Sequence, residues 1–367
     1  MPVFVDSPNF NAALFGRDAP PGFLQGSSKC ITIGLINNMP DEALKATERQ
    51  FLSLLDSASD GLQIRLLHFM LPDVPRQEPA RRYLNGCYAS VDDLWDRHLD
   101  GLIVTGREPL ASNLKQEPYW ESFTRLAEWA ESNTHSTVWS CLAAHAAILH
   151  LDGIVRVRRN DKLFGIFECA RAADHPLTAA TPSRFRLPHS RWNGAAEEDL
   201  TACGYSVLTR AADAGVDTFI KQRKKLFVFF QGHPEYESDT LLREYRRDIG
   251  RYFKGETDTC PLIPRSYFDK HTVDALTALR ERSLCDRSEK LLLEISTALG
   301  ERTIEKTWDS SATTIYRNWL EYICAQKERA LRSKRIKAIA NAHRILNETP
   351  AVLSTVASTA KRGVPQP

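Results

Sequence analysis

The chain has 367 residues and a formal net charge of +2; 43% of the residues are hydrophobic and 26% are charged. This composition predicts a soluble globular protein with one large domain or two smaller ones, and the nearly neutral charge argues against nucleic acid or a membrane surface as a partner. Because no run approaches the roughly 20 apolar residues of a membrane span and residues 1–20 lack a signal-peptide pattern, we expect a cytoplasmic protein.

The eight cysteines are spread along the chain, and none of them belongs to a C-x-x-C pair. In a reducing compartment this spacing predicts neither a zinc site nor a disulfide framework. We therefore expect no metal and regard most of the thiols as structural.

Residues 1–29 are rich in Pro, Gly and Asn and are expected to form a partly disordered arm. After the arm, short apolar runs bounded by turn residues alternate with helical patterns. The predicted strands are 30–38, 62–71, 100–106 and 136–141, and helical patterns span 41–59 and 118–133. Such alternation indicates a parallel sheet with helices on both faces, and sheets of this kind bind ligands beyond the carboxyl ends of the strands.

Further along the chain, residues 205–211, 216–222 and 225–238 are predicted to be strands of a meander. Residues 277–296 are predicted to form one helix, and the sequence leaves open whether it is a cap on the sheet or a contact in a homodimer. A basic helix is expected within 327–346; a solvated helix face is the preferred interpretation over binding to nucleic acid.

The segment VWSCLAAHAAILH (138–150) places Cys141 between two kinds of local structure. β-Branched and aromatic residues precede it and an Ala- and Leu-rich stretch follows it, so a strand is predicted to end and a helix to begin there. A side chain on such a turn projects from the edge of the sheet, beside helix N–H groups that favour a thiolate and can hold an oxyanion. Cys141 is therefore a candidate nucleophile, with a buried structural thiol as the alternative.

A second segment, QGHPEY (231–236), follows the apolar run 227–230. Gly232 and Pro234 predict an irregular loop in which His233 and Glu235 project near one another. His233 can take a proton from a thiol, and Glu235 can hold the imidazole in one tautomer, as in a Ser-His-Asp triad. A turn histidine with a satisfied hydrogen bond is the alternative, but Cys141 supplies the missing member of a triad.

These motifs, in their order along the chain, resemble the homoserine O-succinyltransferase and O-acetyltransferase family, which shares the class I glutamine amidotransferase fold. The resemblance covers about residues 30–327 and rests on GLINNMPDEALKATERQFLSLL, DGLIVTGREPLASNLKQEPYW, SCLAAHAA, DKLFGIFE, LPHSRW, GHPEY and EYRRD. The amidotransferase nucleophile motif Gly-x-Cys-x-Gly is absent, since WSCLAAHA has neither glycine. The resemblance implies an α/β fold with a flavodoxin-like parallel sheet, helices on both faces and a helical C-terminal extension.

The resemblance also implies an activity. Members of the family move a succinyl or acetyl group from acyl-CoA to the hydroxyl of L-homoserine in methionine biosynthesis, with acyl-CoA as co-substrate and no other cofactor. Carried over residue by residue, Cys141 would form the acyl-thioester, His233 would be the general base and Glu235 would orient it. Ping-pong kinetics would follow from this two-step transfer.

Lys162, Ser190 and Arg247 fall on the substrate-contacting positions of the family. An arginine can hold an α-carboxylate through two parallel hydrogen bonds, a lysine offers a point charge, and a serine offers a short donor and acceptor. Without the family pattern, the two cations would be interpreted as solvated surface charges and the serine as a capping hydroxyl. His189, beside the serine, is expected to be a structural hydrogen-bonding residue.

The oxyanion candidates are the N–H of Leu142 and donors from the loop that contains Asn38 and Met39. Two departures from the family bear on this assignment. The loop is two residues longer than in the family, and Leu142 and His145 stand where the family has Trp and Gln.

Leu110 stands where the family has Gly in enzymes that use succinyl-CoA and Glu in enzymes that use acetyl-CoA. Leucine removes the repulsion that a glutamate would exert on a succinyl carboxylate, although it adds bulk. Since Arg107 can also pair with that carboxylate, succinyl is favoured over acetyl as the transferred group.

Three hypotheses follow from these observations. The first is a homoserine O-acyltransferase; the second is a related acyltransferase or amidotransferase-like enzyme that acts on another amino acid or amine in a specialised pathway; the third is a non-catalytic binding protein of the same fold. The intact triad argues against the third, and the altered loops keep the second open. The predicted domains are an arm (1–29), a catalytic domain (30–260), its helical C-terminal part (261–327) and a basic helix with a flexible tail (328–367).

Overall fold

The computed structural model describes residues 3–6, 30–300 and 304–348 of the chain. Its strands are β1 (Val3–Val5), β2 (Cys30–Ile36), β3 (Gln63–Phe69), β4 (Gly101–Val104), β5 (Ser136–Ser140), β6 (Val157–Arg171), β7 (Arg184–Gly194), β8 (Ser206–Val207), β9 (Thr209–Ala211), β10 (Gly215–Val216), β11 (Thr218–Gln222) and β12 (Leu226–Phe230). Its α-helices are α1 (Leu44–Ala58), α2 (Glu78–Cys87), α3 (Asp92–Trp95), α4 (Trp120–Asn133), α5 (Leu142–Asp152), α6 (Glu197–Ala202), α7 (Thr240–Phe253), α8 (Lys270–Ser283), α9 (Glu289–Leu299) and α10 (Asp309–Glu348). Short 3-10 helices span Asp41–Ala43, Leu114–Gln116 and Pro176–Thr178.

The central sheet has the strand order β1-β3-β2-β4-β5-β12-β11-β8. From β1 to β12 in this order all neighbours are parallel, and β11 and β8 are added antiparallel. This mostly parallel sheet confirms the predicted fold class. Residues 3–5, which the sequence assigned to the arm, instead form the edge strand β1; residues 7–29 of the predicted arm lie outside the described residues.

Helices cover both faces of the sheet because strand side chains alternate between them. In β12, Phe227 and Phe229 belong to the core that is shared with α4 and α5. Val228 and Phe230 belong to the core on the opposite face, which is shared with α1 and α7. Burial on both faces explains why the parallel strands are continuous apolar runs, which made them easy to predict.

The structure also contains a second, antiparallel sheet that the sequence did not predict, with the order β10-β9-β6-β7. Its central pair is β6 with β7, in which Phe164 lies opposite Ser190. The first half of β6 is largely exposed, and its apolar run is confined to residues 163–167, so no continuous apolar pattern marks the whole strand. The predicted strand 205–211 is also wrong as one unit, because β8 pairs with β11 in the central sheet whereas β9 pairs with β6 in the second.

The C-terminal region is helical, as predicted, with one difference. Residues 277–296, predicted as one helix, are divided between α8 and α9, with a break at 284–288. The break has a local cause, because Ser288 begins a new helix by accepting the N–H of Leu291 at 3.3 Å. Across the described part of the chain, the helices include none with the length and apolar character that a membrane span requires.

Contacts divide the chain into one unit that ends at Cys324 and a second that begins at Ala325. In the first unit, α10 contributes the buried side chains of Trp319, Leu320 and Ile323 to the core. In the second unit the same helix continues to Glu348 and carries the basic segment, with residues 331–341 exposed. The predicted domain boundaries stay predictions, and residues 349–367 lie outside the described residues.

Trp319 provides a test of how far α10 is part of the core. Its Nε1–H donates to Ser136 Oγ at 2.9 Å, and its ring lies so close to Gly101 that a Cβ there would be 3.2 Å away. Large-to-small substitutions of buried Trp cost about 3–5 kcal/mol, so Trp319→Ala should lower the free energy of unfolding in urea by about this amount. The control Ile336→Ala, at an exposed position of the same helix, should change it by less than about 0.5 kcal/mol. Equal, small effects of both substitutions would contradict the prediction.

Candidate active site

Cys141 lies on a sharp turn between β5 and α5. Its backbone has φ 51° and ψ −112°, a left-handed φ that is rare for residues other than glycine and costs about 1–3 kcal/mol. Hydrogen bonds hold the turn on both sides: the Cys141 N–H donates to the Phe230 carbonyl at 2.7 Å, and its own carbonyl accepts from Ala144 at 3.0 Å. The thiol is thus presented at the strand-to-helix junction that the sequence predicts, and it is partly exposed.

The loop after β4 packs directly on this turn. A Cβ on Gly106 would lie 2.5 Å from the Ala143 nitrogen and 2.6 Å from Leu142 Cβ. Only glycine fits such a close approach, so Gly106 fixes the loop against the start of α5. Leu110, four residues further on, is highly exposed, with 63% of its surface accessible.

His233 and Glu235 follow β12, the parallel neighbour of β5, so both strands deliver their carboxyl ends to one edge of the sheet. His233 Nδ1 lies 2.8 Å from Glu235 Oε1, and both side chains are buried. The His233 ring stacks on Tyr236 with 4.2 Å between ring centroids. Because Nδ1 is bonded to Glu235, Nε2 is the nitrogen that is left for the thiol.

The charges around His233 favour its protonated form. Burial lowers the pKa of the imidazole, but the negative charges and hydrogen bonds of Cys141 and Glu235 outweigh it and raise the pKa of His233 well above its ordinary value. A cysteine, a histidine that accepts its proton and a carboxylate that orients the histidine form the arrangement used in nucleophilic catalysis. The structure therefore brings all three predicted triad residues together.

The three predicted substrate-contacting residues come from three different elements and meet around two carboxylates of α7. Lys162 Nζ lies 3.0 Å from Asp248 and 3.8 Å from Glu244. Ser190 Oγ donates to Glu244 at 2.5 Å, and Arg247 donates through Nε and Nη2 to Asp248 at 2.9 and 2.8 Å. We call these residues the α7 cluster (Lys162, Ser190, Glu244, Arg247 and Asp248).

The α7 cluster is joined to the triad through Tyr236, whose hydroxyl donates to Glu244 at 2.6 Å while its ring stacks on His233. Burial raises the pKa of Asp248, but Lys162 and Arg247 outweigh this effect and lower it below the ordinary value. Both signs of charge are therefore held side by side next to the histidine. Glu244 and Asp248 were not predicted from the sequence; their spacing of four residues, which puts both on one helix face, was the available signal.

The three oxyanion candidates differ in the state of their N–H groups. The Asn38 N–H donates to Thr105 Oγ1 at 3.0 Å, and the Met39 N–H donates to Asn37 Oδ1 at 3.3 Å. The Leu142 N–H belongs to the first turn of α5, where N–H groups have no partner within the helix. Of the three, Leu142 is the candidate whose N–H does not donate to a loop acceptor.

An open pocket of about 350 Å³ adjoins Lys162 on the side of α8. Its lining combines apolar side chains, among them Phe164 and Phe167, with Arg280 and with Arg265, which is paired with Asp213 at 2.6 Å. The pocket therefore presents both signs of charge beside Lys162.

Replacement of Glu235 tests the electrostatics of the triad. Since the carboxylate raises the pKa of His233, Glu235→Gln should lower that pKa, and the imidazolium should be lost at a lower pH than in the wild-type protein. The measurement is an NMR titration of the His233 ring. Glu237→Gln, two residues further along the same loop, is the matched control and should leave the midpoint unchanged. A midpoint in Glu235→Gln equal to that of the wild type would contradict the assignment.

Comparison of the sequence with known proteins identifies the family of the chain. The family model for homoserine O-succinyltransferase matches residues 24–330. The homoserine O-succinyltransferase of Rhodopseudomonas palustris is 45% identical over 317 residues, which are 86% of this chain and 95% of the relative. That of Methylorubrum extorquens is 44% identical over 293 residues, 80% of this chain and 87% of the relative. Among solved structures, a glutamine amido transferase from Methylobacillus flagellatus has a TM-score of 0.46 and 14% identity, covering 81% of this chain and 96% of that one. The chain belongs to the homoserine O-succinyltransferase family.

Proposed function

We propose that the protein transfers a succinyl group from succinyl-CoA to the hydroxyl of L-homoserine, through a thioester on Cys141, as a step of methionine biosynthesis. The observation that carries the proposal is the Cys141–His233–Glu235 arrangement in a chain of this family, with the α7 cluster beside it. Acyl-CoA is the co-substrate, and the proposed chemistry uses no metal or other cofactor. A cytoplasmic location belongs to the same proposal.

In the first half-reaction the Cys141 sulfur attacks the thioester carbonyl of succinyl-CoA while His233 holds the thiol proton. The tetrahedral intermediate carries a negative oxygen, and the Leu142 N–H at the start of α5 is its proposed donor. The bond between the carbonyl carbon and the CoA sulfur then breaks, and the CoA sulfur takes the proton from His233. The succinyl group is left on Cys141 as a thioester.

In the second half-reaction His233 Nε2 accepts the proton of the homoserine hydroxyl as its oxygen attacks the thioester. The bond to the Cys141 sulfur breaks, O-succinyl-L-homoserine leaves, and the pair of thiolate and imidazolium is restored. Glu235 keeps the Nδ1–H oriented through both halves. Kinetics are ping-pong because CoA leaves before the acceptor reacts.

The α7 cluster supports an amino acid as the acceptor. An α-carboxylate suits Arg247, whose Nε and Nη2 already donate side by side, and Lys162 adds a second positive charge. An α-ammonium suits Glu244, which accepts hydrogen bonds from Ser190 and Tyr236. Since Tyr236 stacks on His233, an acceptor bound here lies beside the base.

Leu110 and Arg107 support succinyl as the transferred group. Leu110 carries no charge that repels the distal carboxylate, and Arg107 on the same loop is positive. The relatives from Rhodopseudomonas palustris and Methylorubrum extorquens are likewise named homoserine O-succinyltransferase.

Trapping of the acyl-enzyme tests the proposal. Incubation with succinyl-CoA alone should add one succinyl group to Cys141, seen by mass spectrometry of the intact protein and of its peptides. Cys141→Ser should abolish the adduct and lower turnover by several orders of magnitude, because a hydroxyl is a far weaker nucleophile beside an imidazole than a thiol. Cys203→Ser, at another partly exposed cysteine, is the control and should behave as the wild type.

Assays with acetyl-CoA in place of succinyl-CoA, and with a panel of amino-acid acceptors, then determine which donor and which acceptor the protein uses. Near-normal turnover of a folded Cys141→Ser protein would end the proposal.

Arg247→Lys tests recognition of the acceptor. It keeps the charge but removes the two-pronged geometry, so it should weaken homoserine binding by about 1.5 to 3 kcal/mol, roughly 10- to 150-fold in KM. The CoA-release burst without acceptor should hardly change, because that half-reaction does not involve Arg247. Arg243→Lys, one turn earlier on α7 and paired with Asp239, is the matched control. Equal losses in both half-reactions would make Arg247 a structural residue.

A further inference from the structure

Three successive backbone N–H groups lead up to His233, and each is held by a fixed acceptor. The Gln231 N–H donates to the Asp217 carbonyl at 3.0 Å, and the Gly232 N–H donates to Asp217 Oδ1 at 3.0 Å. The His233 N–H donates to the Pro188 carbonyl at 2.8 Å. One residue, Asp217, therefore holds both peptide groups that precede the histidine.

Asp217 is fully buried and is itself held in place. Its Oδ2 accepts the hydroxyls of Thr218 at 2.6 Å and Thr209 at 3.0 Å, which leaves Oδ1 for the loop. The contact is close: a Cβ on Gly232 would lie 2.6 Å from Oδ1. The loop thus rests directly on the carboxylate, and only glycine permits this approach.

Arg191 supplies the opposite charge and binds the same segment. Burial lowers its pKa only to about 10, so it is charged near neutral pH. Its guanidinium donates to the carbonyls of Ala214 at 2.6 Å and Asn193 at 2.5 Å, and to Gln231 Oε1 at 3.4 Å. A buried carboxylate needs a compensating charge, and Arg191 provides it without occupying Oδ1.

A metal site is the competing interpretation, because ligand atoms of Cys169, His189 and Asp217 lie within 4.8 Å of one another. His189 argues against it. Its Nδ1 accepts the Arg191 Nε–H at 3.2 Å, so in the neutral ring Nε2 carries the proton, and this Nε2 lies 3.4 Å from Asp217 Oδ1. Burial lowers the pKa of His189 well below its ordinary value, which keeps the ring neutral. A protonated nitrogen has no lone pair to offer a cation.

We propose that Asp217 is a positioning residue for His233: its carboxylate and carbonyl hold the Gln231 and Gly232 peptides so that the imidazole faces Cys141. The inference rests on the proposed role of His233 as the base. Displacement of a reacting group by about 1 Å can cost about 100-fold in rate, so loss of this support should affect every step that uses His233.

The test compares Asp217→Ala, Asp217→Asn and Cys169→Ala. Two rates are measured: alkylation of Cys141 by iodoacetamide, read by peptide mass spectrometry, and the CoA-release burst with succinyl-CoA. Asp217→Ala should slow both by about 10- to 100-fold and leave the KM for homoserine within about twofold. Asp217→Asn keeps an acceptor for Gly232 and should recover most of the loss. Cys169→Ala, in the same buried cluster but without a bond to the loop, should match the wild type.

Several results would overturn the inference. These are wild-type rates in a folded Asp217→Ala protein, an equal loss in Cys169→Ala, or one equivalent of metal in the purified protein that Cys169→Ala removes. Should Asp217→Ala not fold, Gly232→Ala displaces the same contact from the loop side; it should lose the same activity, and wild-type rates in it would refute the role of the contact. Alkylation needs neither substrate, so a wild-type protein that is alkylated rapidly but transfers no succinyl group would count against the proposed function alone.

Discussion

The parallel pairing of β5 with β12 is the constraint on which the site depends. Ser140 lies opposite Phe230, so the two strands end at the same level, and the Cys141 N–H adds one more bond to the Phe230 carbonyl. The chain then turns into α5 on one strand and into the His233 loop on the other. A register slip of one residue would turn every side chain of β12 to the opposite face and separate Cys141 from His233.

The second sheet contributes residues of the candidate site that the central sheet does not supply. Its hairpin β6–β7 carries Lys162 and Ser190 to α7, and the Pro188 carbonyl of β7 takes the N–H of His233. The loop that carries His233 is therefore held by β7 and by Asp217, which lies between β10 of the second sheet and β11 of the central sheet. This arrangement makes the position of the imidazole a property of tertiary packing rather than of the loop sequence alone.

Local signals account for what could be predicted. Apolar runs marked the parallel strands, and the change from β-branched to Ala-rich residues marked the turn at Cys141. The hairpin β6–β7 was not predicted because the first half of β6 is exposed and lacks an apolar run. The spacing of Glu244 and Asp248 places both on one helix face, but their contacts form only when α7 packs on that hairpin. Asp217 contacts the His233 loop only in the folded chain, so no spacing in the sequence could assign it. The family resemblance supplied Lys162, Ser190 and Arg247, which residue type alone would have left on the surface.

Charge pairing within the α7 cluster bears on which acceptors it would select. Without a ligand, Arg247 and Lys162 are paired with Asp248, and Glu244 is satisfied by two hydroxyls. A bound carboxylate must compete with Asp248 for those cations. The net binding free energy is therefore the difference between the ion pair with the ligand and the ion pair with Asp248. A zwitterionic acceptor adds an ammonium that can pair with Glu244. A simple alcohol has neither charged group, and a carboxylic acid has only the carboxylate. Discrimination among acceptors would then come from the whole charge pattern, with each single contact contributing modestly.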